Sequence, residues 1–340
     1  MLVSIVITNY NYGAYLADAI ESALGQSYPE KEIIVVDDGS TDHSAGIIAG
    51  YRDSITSILK ENGGPTSAAN AGFANSRGGI VIFLDSDDYL LAGAVDALAA
   101  PIRNNRLVAK SQGYLLPFGR ADVRSGRTIP GKLSLSGDYR RATLKRGPGA
   151  CRHAFTSGNA WARWFLTQVM PLPETDNVAV DGCLNSVSTL FGLTVSIDKI
   201  VAAYRIHDRN MGPTGETFSR PSLQRLMNRV EFTQDYLARW AQHLGYTVPV
   251  DKWRARGGSW RDGVLRFALS SLEGSQRRVK FKDLFLSPFT TGHTIRPKAL
   301  IVSALLAILW LLPRKPALAM ARLMLQMPKG ATTENASISR

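Results

Sequence analysis

The chain has 340 residues, 45% of them hydrophobic and 20% charged, which is the composition of a globular protein with a substantial core. Its two cysteines, Cys151 and Cys183, are too few for a disulfide framework and favour a reducing compartment. The net charge is +12, but residues 1–100 carry thirteen acidic and four basic groups, an excess that would repel a nucleic acid. The basic remainder of the chain is expected to face an anionic surface or substrate.

Residues 1–100 alternate between predicted strands and predicted helices. Strands are predicted at residues 2–8, 32–37, 54–60 and 79–85, and helices at residues 14–26 and 67–76. The first apolar run is short and lacks a basic beginning, so we interpret it as a buried strand and not as a signal peptide. This alternation predicts βαβ units and a mostly parallel sheet, in which ligands bind at the carboxyl ends of the strands.

The rest of the chain is less regular. Residues 101–150 are rich in Gly, Pro and Arg, residues 155–205 regain an apolar pattern, and residues 222–243 and 261–273 are predicted to be helical.

Residues 299–312 are apolar and uncharged, and basic residues bound them on both sides. At about 1.5 Å per residue, a helix of this length is shorter than a hydrocarbon core of about 30 Å. With the second apolar stretch at residues 317–327, the segment favours an amphipathic helix at an anionic membrane surface. An ordinary core helix is the alternative.

Three carboxylates follow the apolar strand at residues 80–84: Asp85, Asp87 and Asp88. Such a concentration of negative charge beside buried side chains is costly unless a cation is present. Mg²⁺ and Mn²⁺ take oxygen ligands and are commonly held by one or two carboxylates plus substrate phosphates. The alternative is a helix N-cap, since acidic residues also favour the first turn of a helix.

Two other predicted strands end in polar residues. Asp37 and Asp38 follow the second strand, where a carboxylate could hold a base or a ribose hydroxyl, although a capped turn also explains them. Thr8 and Tyr10 end the first strand and offer a hydroxyl and an aromatic face for a nucleobase; a simple strand exit is the alternative. Because parallel strands end at one edge of the sheet, these clusters are expected to meet.

Together these motifs resemble glycosyltransferase family 2. The similar segments are VSIVITNYN at residues 3–11, EIIVVDDGSTD at residues 32–42, ENGG at residues 61–64, NAG at residues 70–72 and FLDSDD at residues 83–88. They cover the first hundred residues in the family's order and spacing. The resemblance implies a GT-A fold, which is a Rossmann-like α/β fold with a mostly parallel central sheet flanked by helices. It also implies a nucleotide-diphosphate sugar donor, a divalent metal (Mn²⁺ or Mg²⁺) and inversion at the anomeric carbon.

The resemblance also implies roles for single residues. Thr8, Tyr10 and Asp38 would hold the nucleoside, Asp85 would contact the ribose side, and Asp87 would ligate the metal. On the same motifs, Asn62, Asn70 and Ser86 would also bind the nucleotide sugar, and Asp37 and Asp88 would be supporting residues.

The resemblance is patchy after residue 100. Residues 157–160 resemble an acceptor-side segment, in which Asn159 is a candidate supporting residue. Asp181 stands where the family often has an acidic pair and is the candidate general base, with a helix N-cap as the alternative. The segment at residues 204–207 matches a further family element. There His207 could ligate the metal or contact the diphosphate, or be structural, and Arg205 would support the site.

We therefore predict an enzyme of the hexosyl- or N-acetylhexosaminyl-transferase type with four regions. Residues 1–100 would bind the donor, residues 101–215 the acceptor, residues 216–330 would form a helical C-terminal extension that associates with the membrane, and residues 331–340 a disordered tail. The expected acceptor is a polysaccharide or lipid-linked glycan, and the expected location is the cytoplasmic face of the plasma membrane, in a peripheral position. The alternatives are a metal-dependent nucleotidyltransferase and a non-catalytic basic module that binds membrane or nucleic acid.

Overall fold

The computed structural model describes residues 1–119, 127–175, 179–207, 219–256, 260–272, 279–290 and 296–326. The chain divides into two compact units, Met1–Arg140 with His153–His207, and Arg141–Arg152 with Asp208–Arg340. The predicted boundaries at residues 100, 215 and 330 stay predictions. The predicted disordered tail lies outside the described residues.

The first unit is built on one eight-stranded sheet. Its strands are β1 (Val3–Asn9), β2 (Lys31–Asp37), β3 (Thr56–Leu59), β4 (Ile80–Asp85), β5 (Tyr89–Leu90), β6 (Val108–Phe118), β7 (Asn159–Ala162) and β8 (Leu193–Arg205). The spatial order is β3-β2-β1-β4-β7-β6-β8-β5. Four of the adjacent pairs are parallel and three are antiparallel, which confirms a mostly parallel sheet.

The four strands predicted in the first hundred residues are all present, with ends within two residues of the predicted ones. Their apolar side chains explain why they form strands. β1 and β4 are almost continuously buried because helices cover both faces of a parallel sheet. The short edge strand β3 is mostly exposed, which fits its weaker pattern in the sequence.

Helices connect and cover these strands. The helices of the first unit are α1 (Gly13–Leu24), α2 (Ser44–Gly50), α3 (Pro65–Ala74), α4 (Ala94–Asn104), α6 (Arg163–Val169) and α7 (Val180–Phe191), and α5 (Arg140–Arg146) follows α4 in the chain. The small residues of α3 allow it to lie close to the sheet. A Cβ atom at Gly72 would be 2.2 Å from Cγ1 of Val6, so only glycine fits there.

The second unit is helical in its described residues. The described helices after β8 are α8 (Arg220–His243), α9 (Val250–Arg256), α10 (Trp260–Leu272), α11 (Phe281–Thr290), α12 (Arg296–Leu311) and α13 (Arg314–Gln326). Its core contains Met227 of α8, Phe267 of α10 and Leu306 of α12. The predicted helix at residues 222–243 is confirmed, as is the predicted helix at residues 261–273 up to residue 272; residue 273 lies outside the described residues.

The apolar segment at residues 299–312 forms most of α12, and part of it packs in this core. Val302, Leu306 and Leu309 are buried, while Leu300 and Leu311 are exposed. Among the described helices, none combines the length and apolar composition needed to cross a bilayer.

Candidate active site

The ends of β1, β2 and β4 lie side by side, as the sequence predicts. In the parallel register, Thr8 pairs with Asp85, and Asn9 pairs with Asp37. The backbone amide of Ser86 also donates a hydrogen bond to the carbonyl oxygen of Thr8, at 3.3 Å. The motifs that follow the three strands therefore share one edge of the sheet.

Asp37 holds the loops after β1 and β2 together. Its Oδ1 accepts a hydrogen bond from Nδ2 of Asn9 at 2.7 Å, and the Asn9 amide also donates to Ser40. Asn11 has a positive φ of 58°, a conformation that asparagine tolerates better than most residues. Its Oδ1 accepts hydrogen bonds from the amides of Thr41 and Asp42. Asp37 therefore shapes the loop beside Asp38, as a supporting residue would.

The Asp38 carboxylate is buried and faces the loop at residues 60–64. It accepts hydrogen bonds from the amides of Gly63 and Gly64, and Nζ of Lys60 lies 2.7 Å from its Oδ1. Nδ2 of Asn62 donates to the Asp38 carbonyl oxygen at 2.9 Å. Asp38 and Asn62 are thus neighbours, and Lys60 is a basic partner that the sequence analysis did not assign to the site.

Tyr10 and Asn70, two of the predicted donor-binding residues, have different surroundings. Tyr10 is 48% exposed, so its ring is accessible for stacking. The Asn70 amide makes hydrogen bonds with both backbone groups of Leu172 and with the carboxylate of Glu174. These contacts tie α3 to the segment that follows α6, and a donor-binding role for Asn70 stays a prediction.

Asp85, Asp87 and Asp88 form a compact acidic cluster after β4. One carboxylate oxygen from each of them lies within 4.8 Å of the others. Nε2 of His207 is 2.9 Å from Oδ2 of Asp87, although 120 positions separate the two residues in the chain. The His207 ring also contacts the rings of Tyr12 and Tyr15, at 5.3 Å between centroids in each case.

The charge of this cluster is poorly balanced by the protein. Burial, followed by repulsion from Asp87, raises the pKa of Asp88 to about 8. Burial and the neighbouring carboxylates also raise the pKa of Asp85 well above its ordinary value. A divalent cation would remove this repulsion, and hard oxygen ligands at such spacing fit Mn²⁺ or Mg²⁺. The cluster therefore has the chemistry of a divalent metal site, in which His207 could supply a nitrogen ligand.

Arg205, the last residue of β8, forms hydrogen bonds with the cluster. Its backbone amide donates a hydrogen bond to Oδ1 of Asp88 at 3.0 Å, and its Nε donates to the carbonyl oxygen of Asp87 at 3.0 Å. The guanidinium also pairs with Asp18 at 2.6 Å and lies over the ring of Tyr15. The predicted supporting position of Arg205 thus corresponds to direct contacts with the acidic turn.

The turn Thr156–Gly158 brings two hydroxyl groups to the cluster that the sequence analysis did not select. Oγ of Ser157 donates to Oδ2 of Asp88 at 2.6 Å and accepts from the amide of Asp85 at 3.3 Å. The Thr156 side chain donates a hydrogen bond to Asp85, which opposes the rise of its pKa. Ser157 stands in the segment that resembles the acceptor side of the family, but residue type alone does not distinguish it from other serines.

Asn159 acts behind this turn. Its Nδ2 donates to the carbonyl oxygens of Ala154, Phe155 and Thr156, and its side chain is fully buried. Gln112 accepts a hydrogen bond from the Ala154 amide and another from the buried Lys110 ammonium group. This buried network fixes the backbone that carries Thr156 and Ser157, and the supporting role of Asn159 stays a prediction.

Asp181 lies in the first turn of α7, and the N-cap position of that helix is Ala179. It is close enough for its charge to raise the pKa values of Asp85 and Tyr204. Burial is the larger cause for Tyr204, whose ring packs against Phe155 at 5.5 Å. The structure therefore brings Asp181 into the electrostatic range of the acidic cluster, and Tyr204 is a further neighbour that the sequence analysis did not assign.

Comparison with solved structures identifies the class of fold to which this sheet and its flanking helices belong. Residues 1–349 of TarS from S. aureus, in complex with UDP-GlcNAc, superpose with a TM-score of 0.51 at 17% identity, covering 91% of each chain. A mannosyltransferase from Pyrobaculum calidifontis, in complex with GDP-Man and Mn²⁺, has a TM-score of 0.50 at 14% identity, covering 95% of this chain and 85% of that one. The fold is that of the GT-A glycosyltransferases.

Sequence comparison gives the family. Residues 4–152 match the model of glycosyl transferase family 2. An uncharacterised glycosyltransferase of Nostoc sp. is 30% identical over 256 residues, which cover 74% of this chain and 79% of that protein. The uncharacterised glycosyltransferase EpsJ of Bacillus subtilis is 38% identical over 184 residues, covering 53% of this chain and 51% of that relative. The chain belongs to glycosyltransferase family 2.

Proposed function

We propose that this glycosyltransferase transfers a hexosyl or N-acetylhexosaminyl group from a nucleotide-diphosphate sugar to a hydroxyl of a polysaccharide or lipid-linked glycan, with inversion and with a divalent metal. The observation that carries the proposal is the cluster of Asp85, Asp87 and Asp88, with Asp181 within electrostatic range. Thr8, Tyr10 and Asp38 would hold the nucleoside at the neighbouring strand ends.

In the proposed reaction, Asp181 is the general base. Its carboxylate takes the proton of the acceptor hydroxyl as that oxygen attacks the anomeric carbon of the donor. The bond from the anomeric carbon to the phosphate oxygen breaks, and the nucleoside diphosphate leaves. Attack on the face opposite to the leaving group inverts the configuration. The position of Asp181 after the N-cap of α7 supports a role for its carboxylate outside helix capping.

Asp87 and His207 are the proposed protein ligands of the metal, and Asp88 supports them. When bound, the cation would neutralise the diphosphate and the charge that develops on the leaving group. Mn²⁺ in the Pyrobaculum calidifontis structure makes it the first metal to test. Arg205 and Ser157 would keep the acidic turn in place through their contacts with Asp88.

A thermal-shift panel tests the donor and the metal together. The purified chain is mixed with nucleotide sugars, including the UDP-GlcNAc and GDP-Man of the two solved structures, with and without Mn²⁺. A ligand that binds the folded protein raises its stability. One donor should therefore stabilise the protein, and only with the metal, because the cation is proposed to neutralise the donor's diphosphate. Asp87→Ala should lose this metal-dependent shift. Equal stabilisation by that donor in excess EDTA would overturn the metal proposal.

Product analysis then tests the reaction. With the identified donor and a panel of saccharide acceptors, release of nucleoside diphosphate and an inverted anomeric proton signal by NMR are expected. Retained configuration would refute inversion. Release of pyrophosphate instead of nucleoside diphosphate would favour the nucleotidyltransferase alternative. Salt-dependent binding of lipid or nucleic acid without turnover of any nucleotide sugar would favour the non-catalytic alternative.

The proposed location is the cytoplasmic face of the plasma membrane, in a peripheral position that depends on residues 299–327. The apolar composition of this segment and the basic residues around it support this location. A membrane-bound position would also suit a lipid-linked acceptor, whose sugar stays near the bilayer surface.

A further inference from the structure

Helix α12 presents an apolar face to the solvent. Leu300, Ile301, Ile308 and Leu311 are 61%, 53%, 50% and 73% exposed. At 3.6 residues per turn, these four positions fall on one stripe along the helix. The opposite side carries buried side chains such as Leu306, which pack in the core of the second unit. We call the four exposed residues the α12 stripe.

Basic and aromatic side chains stand at one end of the α12 stripe. The ring of Phe281 contacts the ring of Trp310 at 5.3 Å, and Nε1 of Trp310 donates to the carbonyl oxygen of Val279 at 3.2 Å. These contacts place the start of α11, with the exposed Lys280 and Lys282, beside the end of α12. The exposed Arg314 and Lys315 follow α12 directly in the chain.

The charge around the stripe favours one occupant. Residues 279–326 contain seven Lys or Arg and a single acidic residue, Asp283. A second copy of this chain would bring like charges together, whereas anionic phosphate headgroups would complement them. From Leu300 to Leu311 the stripe is about 16 Å long at about 1.5 Å per residue, which suits a helix lying in the plane of the interface.

We propose that the α12 stripe docks on an anionic lipid bilayer. Its leucine and isoleucine side chains enter the boundary between headgroups and acyl chains, where their apolar surface leaves water. Lys280, Lys282, Arg314 and Lys315 then contact lipid phosphates. This inference rests on the proposed membrane location and identifies the surface that produces it. The apolar packing of Leu306 and its neighbours holds the helix with the stripe outward, before any lipid binds.

Vesicle flotation of the full chain tests the surface. The wild type should float with vesicles of phosphatidylcholine and phosphatidylglycerol, and stay behind with pure phosphatidylcholine. Leu300→Gln/Leu311→Gln should lose at least about tenfold in the bound-to-free ratio, because two large apolar side chains no longer enter the bilayer. Leu107→Gln/Leu135→Gln is the matched control, since these leucines are 67% and 78% exposed elsewhere on the chain. The control should float like the wild type.

Three further measurements test the charge of the surface and its independence from the donor site. Lys280→Gln/Lys282→Gln should reduce binding to anionic vesicles by about fivefold or more per charge, and added salt should weaken the wild type in the same direction. The Mn²⁺-dependent thermal shift with the identified donor should be unchanged in all of these variants. A wild type that floats with anionic vesicles but shows no such thermal shift would count against the proposed transferase site. It would leave the docking proposal intact.

Three results would overturn the docking proposal. The first is a wild type that fails to float with anionic vesicles. The second is equal flotation of the Leu300→Gln/Leu311→Gln and Leu107→Gln/Leu135→Gln variants, both with unchanged melting temperature. The third is a wild type that binds no vesicles, forms a dimer in light scattering, and becomes a monomer with the Leu300→Gln/Leu311→Gln substitutions. That result would assign the stripe to contact with a second copy of the chain.

Discussion

Removal of the Ser157 hydroxyl should weaken metal binding more than it weakens the fold. Oγ of Ser157 donates to Asp88 at 2.6 Å and accepts from the amide of Asp85 at 3.3 Å, so one atom connects two members of the acidic cluster. Ser157→Ala leaves Oδ2 of Asp88 without this donor. The Ser157 hydrogen bond opposes the rise in the pKa of Asp88, so the pKa of Asp88 should be higher in the variant than in the wild type.

The size of the effect follows from the type of bond. A hydrogen bond to a charged group contributes about 1.5–3 kcal/mol, and each 1.4 kcal/mol is about tenfold in an equilibrium constant. Residues that support metal ligands typically change metal affinity about 10–100-fold when they are replaced. We therefore expect Ser157→Ala to raise the Mn²⁺ concentration for half-maximal activity by about 10–100-fold, with near-normal turnover at saturating metal.

The assay is Mn²⁺ titration of sugar transfer at a fixed donor concentration, repeated at several pH values. The defect should shrink as the pH rises above about 8, because proton competition for Asp88 then disappears. Ser186→Ala is the matched control, since Ser186 is a buried serine whose hydroxyl donates only to the carbonyl oxygen of Cys183, at 2.7 Å. An unchanged Mn²⁺ titration in Ser157→Ala would show that the hydroxyl does not support the metal site.

Three further predictions concern the carboxylates. Asp87→Ala should abolish metal-dependent transfer without unfolding the protein, because it removes a proposed ligand and relieves charge repulsion in the cluster; activity and melting temperature are the measurements. Asp181→Asn should reduce turnover about 10²–10⁴-fold while donor binding by calorimetry stays intact, because only proton transfer is lost. The metal-free protein should lose stability as the pH rises from about 4 to about 8, because the raised pKa of Asp88 makes the folded state bind the extra proton in that range. Mn²⁺ should reverse this loss.

Each of these has a result that would contradict it. Wild-type Mn²⁺ dependence in Asp87→Ala would exclude Asp87 as a ligand. Near-normal turnover in Asp181→Asn would assign the base to another residue. A melting temperature that rises between pH 4 and pH 8 without metal would contradict the predicted loss of stability on ionisation of Asp88. Asp283→Asn, in the second unit, serves as a carboxylate control for all three measurements.

The parts of the site that the sequence predicts best are those that adjoin single strands. Asp85 and Asp87 follow an apolar run that predicts a buried strand, and Thr8 stands near the end of another. The carboxyl ends of neighbouring parallel strands lie at the same edge of the sheet. Local pattern therefore determines both the strands and the meeting of their ends, and the structure confirms this arrangement.

Residues that reach the site from distant segments are harder to predict. Ser157 is 69 positions from Asp88, and His207 is 120 positions from Asp87. Their contacts depend on the antiparallel pairing of β7 with β4 and on the path of β8 beside β6. No local periodicity encodes such pairings. The family resemblance predicts a role for His207, whereas it marks Ser157 only as part of the segment at residues 157–160 and does not mark Thr156.

The C-terminal helices show the same division. Composition alone predicts an apolar helix bounded by basic residues at 299–312, and it leaves open whether that helix lies in the core or at a surface. In the folded protein, one face of this helix lies in the core and the other at the surface. Leu306 packs in the helical core, while Leu300 and Leu311 are exposed to solvent. Short-range pattern in the sequence is sufficient to predict the strands, their common edge and the acidic cluster after β4. Long-range packing brings the Ser157 hydroxyl and the predicted His207 to that cluster, and it sets which face of α12 is buried.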